Sequence, residues 1–310
     1  MNLNRRETFK SASIFAAGMA LAACGGTNAA SVAKKNILLV HGAWHSSVHW
    51  NRIATLLADM GHNVSVIDLP GSGLNVTYPS SYLVNDFAAL ATELSPIANI
   101  RLSDYRDAIV AKINKMVANG KVTLVGHSFA GMSITAAAEV VPDKIARIVY
   151  LAAYAPSSTY KTVFDMISLP ENAAGLTGTV AIANPSAVGA IRINPRNGDA
   201  AYVEAIRKCF YSDLTTAECI RFATHCNPDL PLAPASDDGS GTVSKWGSVP
   251  RTFIRTTLDN AIPVALQDKL IAAADAMTPL NKFDVKTLAT SHSPFASKPD
   301  TLAQLLDGLA

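Results

Sequence analysis

From residue 36 onward the chain alternates two patterns. Short apolar runs rich in β-branched residues occupy 36–40, 63–68, 121–126, 146–151, 251–257 and 283–288. Between them lie longer stretches, 48–60, 102–119, 129–141, 263–277 and 299–309, with the character of helices. In 102–119, Tyr105, Ile109, Ile113 and Met116 return every three or four positions and so fall on one side of a helix. Runs that are apolar almost throughout suit strands covered on both faces, and strands joined by helices form parallel sheets. The pattern therefore predicts an α/β fold with a mostly parallel sheet and helices on both faces.

Two segments break the alternation. Residues 72–101 are rich in Pro, Ser and Asn and predict a long loop with one short helix near 86–94. Residues 154–248 hold helical stretches at 199–210 and 215–225 and a Gly-Ser run at 237–241, too much chain for a simple connection. They predict a mainly helical cap, 154–248, inserted into a core formed by 36–153 and 249–310.

The first 23 residues stand apart from this pattern. Arg5, Arg6 and Lys10 precede an apolar, Ala-rich stretch at 14–23, which is too short to span a bilayer and predicts an export signal. Leu21-Ala22-Ala23-Cys24-Gly25 resembles a bacterial lipobox, making Cys24 a candidate lipidated start of the mature chain and 24–35 a linker. Arg5-Arg6 followed by Glu7-Thr8-Phe9-Lys10 resembles a twin-arginine signal, with Thr8 where Phe is usual, so both export routes stay open. The expectation is a periplasmic protein held to the membrane only through a lipid at Cys24.

Charge narrows the partners. The chain carries 26 Lys and Arg against 24 Asp and Glu, and removal of the signal takes three basic groups and one acidic group. The balanced remainder gives no basic excess for nucleic acid or for an anionic membrane surface.

Three further cysteines, Cys209, Cys219 and Cys226, lie close together in the cap. In an oxidising compartment they predict a disulfide from Cys209 to Cys219 or Cys226. Their spacings match no zinc pattern and no ligand pair accompanies them in sequence. His41, His45 and His49 have helical spacing, but His41 closes a strand before Gly42, so the three are not expected to share a helix face. No metal and no cofactor is expected.

The strongest chemical signal is Val125-Gly126-His127-Ser128-Phe129-Ala130-Gly131, set between an apolar strand and a helix. A sharp strand-to-helix turn lifts a serine into strained geometry, and small neighbours let the turn close. Ala130 departs from the usual last glycine, with Gly131 one residue on. A serine hydroxyl needs a base, and in the order nucleophile, acid, histidine only His225 and His292 follow Ser128. His292 follows the last predicted strand, whereas His225 falls in the cap, so His292 is the candidate base. Asp259, at the end of the run 251–257, is the candidate orienting acid, though its place before Pro263 also suits a helix N-cap. The oxyanion donors are expected to be the backbone amides of Phe129 and, because Gly42 permits close approach, Ala43.

With these residues in place, the chain resembles the α/β-hydrolase branch of plant methyl-salicylate-type esterases, hydroxynitrile lyases and related bacterial esterases. The resemblance rests on Val40-His41-Gly42-Ala43-Trp44-His45 with Trp50, Asp68-Leu69-Pro70-Gly71-Ser72-Gly73, the Ser128 motif, Asp259-Asn260-Ala261-Ile262-Pro263 and Ser291-His292-Ser293-Pro294-Phe295. It implies a triad of Ser128, Asp259 and His292 with Ala43 and Phe129 as oxyanion donors. Lyases of the branch look to carry Thr in place of Gly42 and Lys in place of Ser293, so the resemblance implies an esterase. The expected function is hydrolysis of a small to medium carboxylic ester through an acyl-enzyme on Ser128, with Phe164, Met166, Ile167 and Phe210 of the cap facing the substrate. The alternatives are a carbon–carbon lyase and a non-catalytic lipoprotein binding module.

Overall fold

The computed structural model describes residues 34–309; the expected export signal, the expected lipobox and Cys24 lie outside the described residues. The strands are β1 Asn36–Val40, β2 Asn63–Ile67, β3 Val122–His127, β4 Ile145–Leu151, β5 Ala190–Arg192, β6 Asp229–Pro231, β7 Arg251–Thr256 and β8 Asp284–Leu288. Six form one sheet in the order β2-β1-β3-β4-β7-β8. Every neighbouring pair in it is parallel. The principal helices are α1 Asn51–Asp59, α2 Leu102–Met116, α3 Ala130–Val140, α4 Val163–Ile167, α5 Ala200–Phe210, α6 Thr216–Ala223, α7 Val264–Met277 and α8 Pro299–Gly308.

Alternation along each strand divides the core into two layers. Leu38, Val40, Leu124, Ile148 and Tyr150 face one side with Ile109 and Ile113 of α2, Ala137 of α3 and Leu270 of α7. Ile37, Leu39, Val125, Val149 and Leu151 face the other with Ile53 and Leu57 of α1 and Leu302 and Leu306 of α8. Only strands covered on both faces can be apolar at successive positions, which is why β1, β3 and β4 read as continuous hydrophobic runs. At the edge, β8 carries Asp284 and Lys286, the latter partly buried, because half its surroundings are solvent.

The sheet order also locates a crevice. From β1 the chain moves outward to β2, then returns on the other side as β3, so the connections leave β1 and β3 in opposite directions. Such a switch point opens a crevice at the carboxyl ends of the strands. Val40 pairs with Gly126, so the turns that begin at Gly42 and Ser128 emerge side by side.

Between β4 and β7 the chain builds α4, α5, α6 and the antiparallel pair β5–β6. Thr215 and Glu218 start α6 reciprocally: each side chain accepts the other's backbone amide, at 3.3 Å and 2.9 Å. Asp199 caps α5 by accepting from Tyr202 N at 3.0 Å. Arg192 of β5 is fully buried and donates to both carboxylate oxygens of Asp229 on β6, at 2.6 and 2.8 Å. Its remaining Nη1 protons go to the carbonyls of Leu90 and Glu93, which ties the 86–93 segment to this region. The short helix there is one turn, Phe87–Leu90, and beyond it the Glu93 carboxylate accepts from the backbones of Ser80 and Ser81.

The expected disulfide does not form: Cys209, Cys219 and Cys226 are all free and buried. Closeness in sequence did not bring the thiols face to face. Burial raises the pKa of Cys209, with the negative charge of Asp259 adding to it, whereas Cys226 faces Tyr211 and His49.

Candidate active site

Ser128 stands where β3 gives way to α3, with φ of 56°. A left-handed conformation is costly for a residue with a Cβ and persists only where the surroundings enforce it. Here Ser128 N donates to Leu151 O at 3.0 Å, while Ser128 O accepts from Gly131 N and Tyr154 N at 3.1 and 3.2 Å. Two close approaches let the turn fit. A Cβ on Gly131 would lie 1.8 Å from Tyr154 O, and one on Gly42 would lie 2.7 Å from Ser128 Cβ. The glycine displaced from the usual motif position is thus the one that the packing requires.

Asp259 and His292 meet at the carboxyl ends of β7 and β8. His292 Nδ1 donates to Asp259 Oδ2 at 2.8 Å, and both side chains are buried. The other oxygen, Oδ1, accepts from the amides of Ala261 and Ile262, each at 2.8 Å. Asp259 does not cap the following helix, which begins at Val264 after Pro263 with no side-chain cap; its Oδ1 instead holds the 259–262 turn while Oδ2 takes the imidazole. Thr256 Oγ1 and Gln267 Nε2 add donors to Oδ2 at 2.9 and 3.2 Å. A carboxylate so held is fixed in direction and fixes the imidazole tautomer, with Nδ1 protonated and Nε2 left to act as base.

Ser128 and His292 line one cavity of about 420 Å³, with Ala43 and Phe129 beside them. Among the described residues neither the Ala43 nor the Phe129 amide donates to a backbone carbonyl. The Ala43 turn is itself braced. Trp44, at φ of 60°, donates from Nε1 to Ile191 O at 2.9 Å, and its own carbonyl accepts from Asn227 N at 2.7 Å. His45 Nδ1 donates to Ala43 O at 2.7 Å, and Tyr211 OH lies 2.9 Å from His45 Nε2.

Apolar side chains make up most of the wall. Phe164 and Ile167 of α4 and Phe210 at the end of α5 face the cavity as expected. Met166 does not: it lies on the opposite side of α4, fully buried in the core, because one position along a helix turns a side chain about 100°. His225 is exposed and lies outside this cavity.

Four other imidazoles surround the site. Desolvation lowers the pKa of His41, His45 and His127 and takes His49 to about 4, so all four stay neutral near pH 7. His127 Nε2 donates to His292 O at 2.9 Å, a brace on the candidate base. Sequence order found Ser128, Asp259 and His292 but not Tyr211, Gln267 or this use of His127. Only His127, next to the serine, carried any sequence signal. One cysteine also has the neighbours it lacked in sequence: His45 and His49 come together with Cys226.

Comparisons with known proteins bear on the family and the fold. The family model described as "Alpha/beta hydrolase family" matches residues 37–305. The Arabidopsis thaliana protein named methylesterase 11, chloroplastic, is 30% identical over 276 residues, covering 87% of this chain and 63% of the relative. Pheophorbidase of Raphanus sativus is 27% identical, covering 90% and 95%. Among solved structures, an extracellular alpha/beta-hydrolase from a Paenibacillus species superposes with a TM-score of 0.64 at 21% identity, covering 88% and 97%. The chain spans 63%, 56% and 55% of the first three curated plant relatives. Turn, sheet order and family match lead to one assignment: this chain belongs to the alpha/beta hydrolase family.

Proposed function

We propose that the protein is a serine carboxylesterase acting on small to medium esters. The observation that carries the reading is the strained Ser128 sharing a cavity with the Asp259-bound His292 and two unengaged amides. In the proposed cycle Ser128 Oγ attacks the ester carbonyl carbon as its proton passes to His292 Nε2. The oxyanion accepts from Ala43 N–H and Phe129 N–H, and α3 directs the positive end of its dipole to the same place. The intermediate collapses to an acyl-enzyme, and the alcohol leaves with the proton held by His292. Water then repeats the sequence on the acyl group and releases the acid. Asp259 keeps the imidazole oriented and stabilises its charge in both halves.

The mainly apolar cavity supports an aryl or alkyl ester over a charged one. Relatives named methylesterase and pheophorbidase support ester cleavage. At the two positions that mark the lyases of the branch, Gly42 supplies no hydroxyl and Ser293 no cation to a departing cyanide. The N-terminal sequence supports action outside the cytoplasm, on a chain lipidated at Cys24.

The test is turnover of p-nitrophenyl esters together with fluorophosphonate labelling, on wild type and Ser128→Ala. Labelling should vanish in the variant and kcat should fall on the order of 10⁴-fold or more, as for loss of a triad serine. Undiminished turnover in Ser128→Ala, or no labelling of wild type, would exclude the reading. A panel of methyl, aryl and longer-chain esters then ranks the acyl and alcohol groups accepted.

A further inference from the structure

The thiol expected in a disulfide has other company. His45, His49 and Cys226 each offer a ligand atom, and the three atoms lie within 4.8 Å of one another. All three side chains are buried. His49 Nε2 is 3.8 Å from Cys226 Sγ. Tyr211 OH lies 2.9 Å from His45 Nε2 and 3.9 Å from Cys226 Sγ, so a fourth donor borders the same space. Tetrahedral Zn(II), with bonds of about 2.0–2.1 Å to nitrogen and 2.3 Å to sulfur, holds its donors about 3.3–3.7 Å apart. To reach that geometry the widest pair of the cluster closes by up to about 1.5 Å, and the His45–Tyr211 pair, now at 2.9 Å, opens by about 0.4 Å.

The surroundings suit ligation. A metal-bound imidazole uses one nitrogen and donates from the other, commonly to a backbone carbonyl. His45 Nδ1 is 2.7 Å from Ala43 O, which can hold its proton and free Nε2; His49 Nδ1 accepts from Ser46 N at 3.1 Å with Ser46 O at 3.3 Å, so freeing its Nε2 exchanges the bond from Ser46 N–H for one to Ser46 O. An ion also has routes inward. His45 lines the Ser128 cavity, and His49 lines a second cavity of about 380 Å³ that also holds Glu218 and His225. Cys226 lines a third, of about 310 Å³.

We propose that His45, His49 and Cys226, with Tyr211 as fourth donor, bind a thiophilic divalent cation of the Zn(II) type. On binding, the cation takes the two Nε2 lone pairs and the Cys226 thiolate. The thiol proton leaves to solvent, and the His49 ring proton moves from Nε2, where it faces Phe222 O, to Nδ1. No electron is transferred. His45 and His49 belong to the turn after β1, whereas Tyr211 and Cys226 follow α5 and α6. The cation therefore staples the Ala43 turn to the helices above it, a closure between core and cap where sequence suggested one within the cap.

The test uses the full chain, stripped with a chelator and titrated separately with Zn(II) and Co(II). One Zn(II) per chain should remain after excess metal is removed, and Co(II) should give near-ultraviolet thiolate-to-cobalt charge transfer. Because Cys226 is buried, peptide mapping is run over time in mild denaturant that opens the fold locally, and Cys226 should be labelled by a thiol reagent at least about tenfold more slowly with Zn(II) than without it. His49→Gln and Cys226→Ser should each weaken Zn(II) binding by at least about tenfold, a loss typical even of outer-shell partners, and Cys226→Ser should abolish the charge-transfer band. If a variant does not fold by circular dichroism, the mapping on wild type decides alone. No retained Zn(II), binding undiminished in folded variants, or protection falling on Cys209 or Cys219 would overturn the proposal. None of these readouts depends on ester hydrolysis.

Discussion

Single contacts at the candidate site are sharp enough to predict from. Ala130 is the residue that departs from the usual motif, yet its Cβ is accommodated, while Gly131 meets Tyr154 O. Gly131→Ala must push the 152–154 segment away, and that segment's Tyr154 N–H holds Ser128 O. We expect a loss of about 1–3 kcal/mol in urea unfolding, typical of overpacking, and slower fluorophosphonate labelling. Ala130→Gly should stay within about 1 kcal/mol of wild type, since it only adds chain entropy at the helix start. Labelling of Gly131→Ala at the wild-type rate would show that the close approach does not set the serine. The candidate residues were legible because the order of the proposed reaction restricts them: a candidate nucleophile on a strand-to-helix turn, then a candidate acid and histidine at later strand ends. Their braces were not. Tyr211 reaches His45 across 166 positions, and no local pattern announces such a contact.

Elements were legible in proportion to how strongly local chemistry selects them. Strands β1, β3 and β4 lie within a residue or so of the apolar runs, because burial on both faces leaves few other residue types possible. The cap was harder. Strands β5 and β6 have three residues each and no alternation to read, and their stability comes from Arg192 and Asp229 facing across the pair. This ion pair is fully desolvated, so breaking one side strands a charge, which typically costs about 3–5 kcal/mol, whereas replacing both with apolar residues costs far less. Arg192→Met should therefore lower the urea midpoint strongly, and Arg192→Met with Asp229→Leu should recover much of the loss. Equal destabilisation in the single and double variants would mean that the Leu90 and Glu93 carbonyls, not the carboxylate, are what Arg192 chiefly serves.

At the scale of the molecule, the sheet order places the turns after β1 and β3 together and draws buried histidines around them. His41, His45, His49 and His127 have pKa values lowered by desolvation, His49 to about 4. The unfolded chain protonates these groups near 6.5, so between that pH and the lower folded values the unfolded state binds more protons. Their contribution to stability is complete above pH 6.5 and is lost as pH falls toward 4. For His49 alone the shift corresponds to roughly 3 kcal/mol by pH 4. Glu93, whose carboxyl accepts from Ser80 and Ser81 and is held at about 2, begins to lose its contribution only below its ordinary value near 4.5. The histidine window therefore opens first. Urea unfolding measured from pH 8 to 4.5 with a chelator present, so that cation binding adds nothing, should hold steady to about pH 7 and then fall. The slope should exceed the roughly 1.4 kcal/mol per pH unit of a single proton, because several imidazoles charge together. A profile flat down to pH 4.5 would mean that the imidazoles gain protons without unfolding the turns they brace, and that the site opens locally in acid.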